Sequence, residues 1–369
     1  MSRTIIDIHA LQTVPPANLN RDDTGSPKTA VYGGARRARV SSQSWKRAVR
    51  LDFRETLDGA DLGWRTKQIV RLVANRVTAL APELEEQARD LTVKAFSEGG
   101  IKVKVQKKDN EIEEPGYLVF LSTNQIENLA GAIVATARSG EKPDKKALKR
   151  ILQDHNSIDV ALFGRMIADD AALNVDAACQ VAHAISVHPV ETEFDYFTAV
   201  DDEKEEQDET GAGMIGTVEF NSATLYRYAT VDVDRLCENL GDDEATVRAT
   251  RAFLQSFITS MPSGKMNTFA NRTLPEAVLV TVRDTQAINL VGAYEQPIRQ
   301  HEGRVEAACE LLAKQLEDIA DTYEQVPVRA WALCVGSRTK SLAEAGEETT
   351  ITGLLDGAAE LVTERIGES

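Results

Sequence analysis

GGARRARVSSQSWKRAVR, Gly33 to Arg50, changes character halfway along. Ser41, Ser42 and Ser44 are helix N-cap candidates, and from there Trp45, Ala48, Val49 and Leu57 recur at helical spacing. Upstream, TIIDIHALQT alternates enough to be a strand. Between them, PPANLNRDDTGSPKTAVYGG holds three prolines and three glycines that forbid a helix. The chain therefore opens as strand, irregular loop, helix.

The same eighteen residues carry six basic side chains and no acidic one, in a protein of net charge −16. Residues 1–50 hold nine Lys and Arg against three Asp, or +6, which leaves −22 on the other 319. An acidic surface favours solubility. A basic island on it is a focused site for an anion.

With 369 residues, 42% hydrophobic and 27% charged, the chain is long enough for one large or two ordinary globular domains. No apolar run approaches a membrane span, and MSRTIIDIHALQTVPP does not have the form of a signal peptide. Cys179, Cys237, Cys309 and Cys334 are dispersed, as expected of free thiols in a reducing cytoplasm. The five histidines form no metal-ligand pattern, so no metal and no cofactor is expected.

Helical patterns follow at about 67–80 and 82–97. IKVKVQKK, then DNEIEEPG, then YLVFLS reads as a hairpin with a basic face. Helices at about 123–139 and 144–153 lead to IDVALFGRM, read as a short strand, and 176–186 reads as a helix. Residues 191–216 are aromatic, then intensely acidic (DDEKEEQDE, Asp201–Glu209), then glycine-rich. TVEFNSATLYRYATVDV is strand-like. Helices at 234–240 and 243–260, the loop MPSGKMNTFANRTLP, the strand AVLVTV, a long helix at about 298–323, the strand VRAWALCV and a last helix complete the chain. Irregular alternation with long loops points to an α+β core, closer to a ferredoxin-like βαββαβ unit than to a doubly wound sheet.

Several motifs fail on context. GAGMIG, Gly211 to Gly216, fits G-x-G-x-x-G, but an acidic loop precedes it and β-branched TVEF follows, so it does not bind a pyrophosphate. GKMNT lacks the first glycine of a P-loop. SSQS lacks the G-x-S-x-G elbow. Asp22 and Asp23 have the side chains for a divalent metal, although loop turn-formers are the more ordinary reading.

The basic island has better geometry. On the helix, Gln43, Lys46, Arg47 and Arg50 fall at spacings of three, four and seven and share one face, with Trp45 and Val49 turned to the core. A helix N-terminus with serine hydroxyls suits phosphate oxygens, and cations further along extend the track. Aromatic residues total only 5% and no base-reading set is evident, so backbone tracking of a single strand fits better than base readout. Met166, Phe197 and Val200 are candidates to wedge against bases, although most such residues are core.

The segment PPANLNRDDTGSPKTAVYGGARRARVSSQSWKRAVR, followed in order by IDVALFGRM, VAHAISVH, DYFTAVDD and SGKMNTFA, resembles the CasC family, the repeated crRNA-binding backbone subunit of the type I-E CRISPR Cascade complex. The resemblance covers most of the chain. It implies a ferredoxin-like or RNA-recognition-motif-like palm (1–58 and 217–369), a mostly helical fingers insertion (59–190) and a protruding thumb loop or hairpin (191–222). It implies a cytoplasmic, non-catalytic protein whose copies stack helically along the crRNA, displace a base at regular intervals and leave the others to pair with target DNA, beside other Cascade subunits and with no membrane. Carried over by residue, Ser41, Gln43, Lys46 and Arg50 grip phosphates and Arg21 supports that path. Arg165 and Met166 flank the displaced base, Phe197, Thr198 and Val200 belong to the thumb, and Lys265, Asn267 and Thr268 to a second loop at the RNA. The rival is a metal-dependent target-RNA endoribonuclease of the type III backbone kind, using Asp22 or Asp23.

Nothing as negative as Asp201–Glu209 should touch RNA, so the segment belongs at the tip or facing solvent. If it repels stray nucleic acid, replacing its charged residues with neutral ones raises binding to unrelated RNA; unchanged binding in a filter assay would count against that role.

Overall fold

The computed structural model describes residues 3–106, 112–141, 143–199, 214–300 and 302–367. In chain order the elements are β1 (Ile5–Ala17), β2 (Thr29–Tyr32), β3 (Ala35–Val40), α1 (Ser42–Thr56), β4 (Gly63–Thr66), α2 (Ile69–Leu80), α3 (Ala88–Gly99), β5 (Val103–Gln106), β6 (Ile112–Pro115) and β7 (Val119–Ser122). Next come α4 (Thr123–Ser139), α5 (Lys145–Gln153), α6 (Ile158–Phe163), β8 (Cys179–Val181), β9 (Ala184–Ser186), β10 (Glu193–Ala199) and β11 (Met214–Asp232). The chain closes with α7 (Val233–Leu240), α8 (Asp243–Thr259), α9 (Met266–Phe269), β12 (Ala277–Arg283), α10 (Arg304–Tyr323), β13 (Arg329–Cys334), β14 (Glu347–Glu348) and α11 (Ile351–Gly367). The fold is mixed α+β, as expected.

One large sheet runs in the order β14-β13-β12-β1-β11-β9-β3-β2, with β8 and β10 also paired to β11. Its centre is β1, antiparallel to both β11 and β12. Helices cover both faces, so β1 is buried almost throughout rather than alternating with solvent. Ile6, Ile8 and Ala10 face α1, α8 and α11 through Val49, Phe53, Phe253, Leu354 and Ala358. Leu11, Leu279 and Tyr226 face α10 and the 3-10 segment Leu290–Tyr294. A separate core lies among α2 to α5 and β7, built on Val73, Val77, Phe96, Leu121, Leu129 and Leu152. Among the described residues no helix is long and apolar enough to cross a membrane.

Four local expectations are corrected. The loop after TIIDIHALQT is shorter, because β1 continues through Pro15 and Pro16 with a register shift between Val14 and Ala17, where prolines do least harm to a ladder. The β2–β3 hairpin then turns at Gly33 and Gly34 (φ 57° and 71°). A side chain at Gly33 would strike the Glu295 carbonyl oxygen, 1.5 Å from where its Cβ would sit. IDVALF is helix α6, closed by Gly164 at φ 76°; a short apolar run does not reveal its period. Residues 176–186, read as helix, form β8 and β9, because sheet edges on β11 and β3 capture them. IKVKVQ pairs with IEEP, and YLVFLS pairs instead with β4. Lys104 therefore sits opposite Glu114, and the described part of that hairpin is not a basic face.

Two buried histidines stay neutral. His9 Nδ1 lies 2.8 Å from the Tyr226 hydroxyl, and burial pushes its pKa down to about 3. His188 donates from Nδ1 to the Pro189 carbonyl (2.7 Å). Its Nε2 accepts from the Thr224 N–H (3.1 Å) and faces Arg304 Nη1 (3.3 Å). A second proton would turn that acceptor toward two donors, and burial lowers the pKa to about 4. Because the folded value is below the unfolded 6.5, the unfolded state takes up the proton first and stability falls as pH drops. His188→Asn, which does not titrate, should narrow its stability gap to wild type by about 2 kcal/mol between pH 7.5 and 5 in urea unfolding. The buried Asp7 and Asp159, raised by burial, contribute equally to both proteins and cancel in that difference. A gap independent of pH would show that His188 takes up its proton equally in the folded and unfolded states.

Candidate nucleic-acid interface

α1 buries Trp45, Ala48, Val49 and Phe53, which leaves its opposite side for cations. Gln43, Lys46, Arg47 and Arg50 share the expected face and line one groove of about 910 Å³. Met166 and Ala168 form another wall, Arg65, Tyr117 and Leu118 a third, and Phe120 and Phe163 part of the lining. The groove runs between the sheet core and the helical core.

The cations rest on aromatic faces. Lys46 Nζ lies 5.8 Å from the Phe163 ring centre, Arg50 5.6 Å from Phe120 and Arg54 5.2 Å from Trp64. These steps of four residues each advance about 6 Å along the helix. Ring faces hold a cation in place without neutralising it. Among the described residues, Lys46, Arg47, Arg50 and Arg65 form no ion pair with a carboxylate, although many other surface cations do. Burial lowers the Arg50 pKa, and repulsion from Arg65, Arg54 and Arg47 lowers it further, against the buried Asp159. Crowded cations of this kind are relieved by an arriving anion.

Met166 projects into solvent at 76% exposure, while its neighbour points inward. The Arg165 guanidinium is buried and donates to the Leu173 and Leu152 carbonyls (2.9 and 2.7 Å) and to Gln125 Oε1 (3.0 Å). Desolvation lowers its pKa to about 10. Arg165 borders the same groove and ties the Met166 segment to α4 and α5 from behind. Ser41 is the N-cap residue of α1. It is buried, its N–H donates to Asn20 Oδ1 (2.9 Å), and its hydroxyl meets Ser44 Oγ (3.2 Å). The next helix N–H, from Ser42, donates to His183 Nδ1 (3.2 Å).

Arg21, Lys265, Asn267 and Thr268 do not line this groove. Arg21 is exposed in its loop, bridged to Pro27. Asp22 serves that loop as a turn-former: its Oδ1 accepts from Thr24 N–H (2.9 Å), Thr24 Oγ1 (2.7 Å) and Ser26 N–H (3.0 Å). Lys265 adopts a left-handed φ of 55° at the start of α9, and Asn267 and Thr268 are exposed on it. Across α1 from Met166, Arg47 also borders a smaller hollow with Ser263, Gly264 and Arg272. Phe269 of α9 packs on Phe220 of β11, 5.8 Å between ring centres. Asn18 Nδ2 donates to both the Gly25 and Glu219 carbonyls (2.9 Å each), so the first loop, α9 and the base of the β10–β11 hairpin meet there.

That hairpin exposes Phe194 and Tyr196 at 66% and 63%, and Phe197 at 37%. Thr198 pairs through its backbone with Ile215. Val200 and Asp201–Glu209 lie outside the described residues. The sequence reading missed Arg65, Tyr117 and Leu118, which reach the groove from separate strands and turns. Neither Phe120 nor Phe163 announced itself as a seat for a cation.

The sequence profile of the CT1975-like protein family matches residues 6–357. A chain of a CRISPR RNA-guided surveillance complex described as pre-nicking superposes with a TM-score of 0.85 at 35% identity, over 97% of this chain and 100% of that one. Another chain, from a CRISPR RNA-guided surveillance complex, gives 0.73 at 29% identity over 96% and 99%. No curated protein matches. The chain belongs to the CT1975-like protein family, and the CasC resemblance read from its sequence is borne out.

Replacing Arg165 by Met strands several buried acceptors and should cost about 3 kcal/mol in urea unfolding. Met166→Ala, at a solvent-facing position, should change stability by less than about 0.5 kcal/mol. Equal effects from the two would contradict this division between brace and exposed tip.

Proposed function

We propose that the chain is the guide-RNA-binding scaffold of a type I-E Cascade complex, its copies polymerising helically along the crRNA spacer in antiviral defence. The observation that carries this reading is the row of cations Lys46, Arg47 and Arg50, without a carboxylate partner among the described residues, that faces Met166 and Arg65 across one open groove. Such groups take phosphates without regard to sequence. The sheet with α1, α8 and α11 acts as an RNA-recognition-like palm (1–58 and 217–369), the helical core as fingers (59–190) and the β10–β11 hairpin as thumb (191–222). Gln43, Lys46 and Arg50 hold the backbone. Met166 and the hairpin aromatic Phe197 push one base out of line at intervals, and the remaining bases stay free to pair with target DNA. Arg21, Lys265, Asn267 and Thr268 extend the path beyond the groove, next to the hairpin base. Sequence reading is delegated to base pairing, as in other RNA-guided effectors. Other Cascade subunits join the filament, and the assembly works in the cytoplasm.

The protein is non-catalytic in this reading. Permanently charged arginines grip phosphates but do not shuttle protons. Of the two candidates of the nuclease reading, Asp22 and Asp23, Asp22 spends Oδ1 on its own turn.

Binding to single-stranded RNAs of increasing length, followed with salt and by native mass, tests the scaffold. With about four phosphates neutralised per copy, log K should fall with log salt at a slope of about −3 per copy. Copy number should rise stepwise with RNA length, and Lys46→Glu with Arg50→Glu should abolish it. One copy at every length, or indifference to the charge reversals, would sink the reading.

A further inference from the structure

The glycine that ends GAGMIG binds no dinucleotide, yet its position is specific. Gly216 is the cross-strand partner of Phe197 in the β10–β11 ladder. Its backbone does not require glycine, since it is absent from the positive-φ glycines and lies in regular strand. What requires glycine is the neighbouring ring. A Cβ built on Gly216 would lie 2.4 Å from Phe197 Cζ, 2.8 Å from Cε1 and 3.1 Å from Cε2. The ring therefore lies flat across the strand, with one side against the Gly216 backbone. Only a strand glycine can be covered in this way, and an aromatic partner also offsets the poor packing of glycine in a ladder.

We infer that Gly216 is a positioning residue for base displacement: it seats the Phe197 ring so that one face alone is presented to a nucleobase of the bound RNA. The inference rests on the scaffold reading above. A ring free to swing about its Cα–Cβ bond would meet a base at any angle, and stacking needs parallel faces. A ring pinned on its back to the ladder has its angle fixed before RNA arrives, so ordering it costs nothing at binding. Alanine at 216 would push the ring off this seat into another rotamer. It would leave the phosphate-binding cations untouched and the strand backbone comfortable, alanine being the less entropically costly residue in a strand.

The test uses the full-length protein assembled on single-stranded RNAs that carry one 2-aminopurine, moved position by position. Fluorescence reports unstacking, and native mass reports the copies bound. Wild type should show bright positions at a regular interval. Gly216→Ala should keep the copy number, the salt slope and an equal or higher melting temperature. It should shift the ratio of displaced to stacked base about fivefold or more toward stacked, the scale of one weakened base–aromatic stack. Phe197→Ala should lower the signal likewise, and the double variant should be no dimmer than Phe197→Ala, because the two residues act as one unit. An unchanged fluorescence pattern in Gly216→Ala would overturn the inference and leave the scaffold standing. Additive losses in the double variant, or loss of assembly in Gly216→Ala, would overturn it too. A wild type without periodic bright positions would overturn both it and the displacement reading.

Discussion

Three buried arginines answered by carbonyl oxygens hold this molecule in shape. Arg37 donates to the carbonyls of Tyr32, Ser186, Tyr294 and Glu295, and so pins the β2–β3 hairpin to the segment before α10. Arg165 fastens the Met166 segment to the helical core. Arg227 lies between Trp45 of α1 and Phe257 of α8, 3.8 and 4.6 Å from their ring centres, and donates to Gln12 Oε1 and the Phe257 carbonyl. Each buried charge is costly, and desolvation lowers all three pKa values. Each also fixes one segment around α1. Carbonyls accept from the guanidinium without cancelling its charge, so the positive field persists beneath a basic surface. A carboxylate partner would have held the same joints and removed that field. In contrast, Arg283 is paired with Asp7 on the far face of the sheet, remote in the fold from the groove.

Much of the frame could be read directly. β1, α1, α4, α8, β11 and β12 are long and strongly patterned, and each lies within a few residues of its expected place. The common face of Gln43, Lys46, Arg47 and Arg50 follows from helical spacing alone, once α1 is granted. The misread segments share a cause. IDVALF and residues 176–186 are short, and their conformation is decided by neighbours distant in sequence. β7 had two strands in reach and took β4.

The site was legible on one side only. α1 supplies its cations from a contiguous run, whereas Arg65, Tyr117, Leu118 and Phe120 come together only when the helical core packs beside the sheet. Arg165 and Met166 are adjacent in sequence and read naturally as a pair. The backbone sends their side chains in opposite directions, one into carbonyls and one into solvent. No residue pattern distinguishes an arginine that faces solvent from one that braces its exposed neighbour.

β11 spans nineteen residues without interruption, serving the central sheet at one end and the hairpin at the other. At about 3.3 Å per residue it is a beam roughly 60 Å long. One end is clamped by ten consecutive pairs with β1, between Ile5↔Asp232 and Val14↔Ala223. A slip of one residue there would turn every core side chain outward, so the clamp cannot creep. The free end inherits that alignment with no joint at which to lose it. The hairpin is thus a cantilever rather than a hinged flap, aimed by the core and stiff along its length.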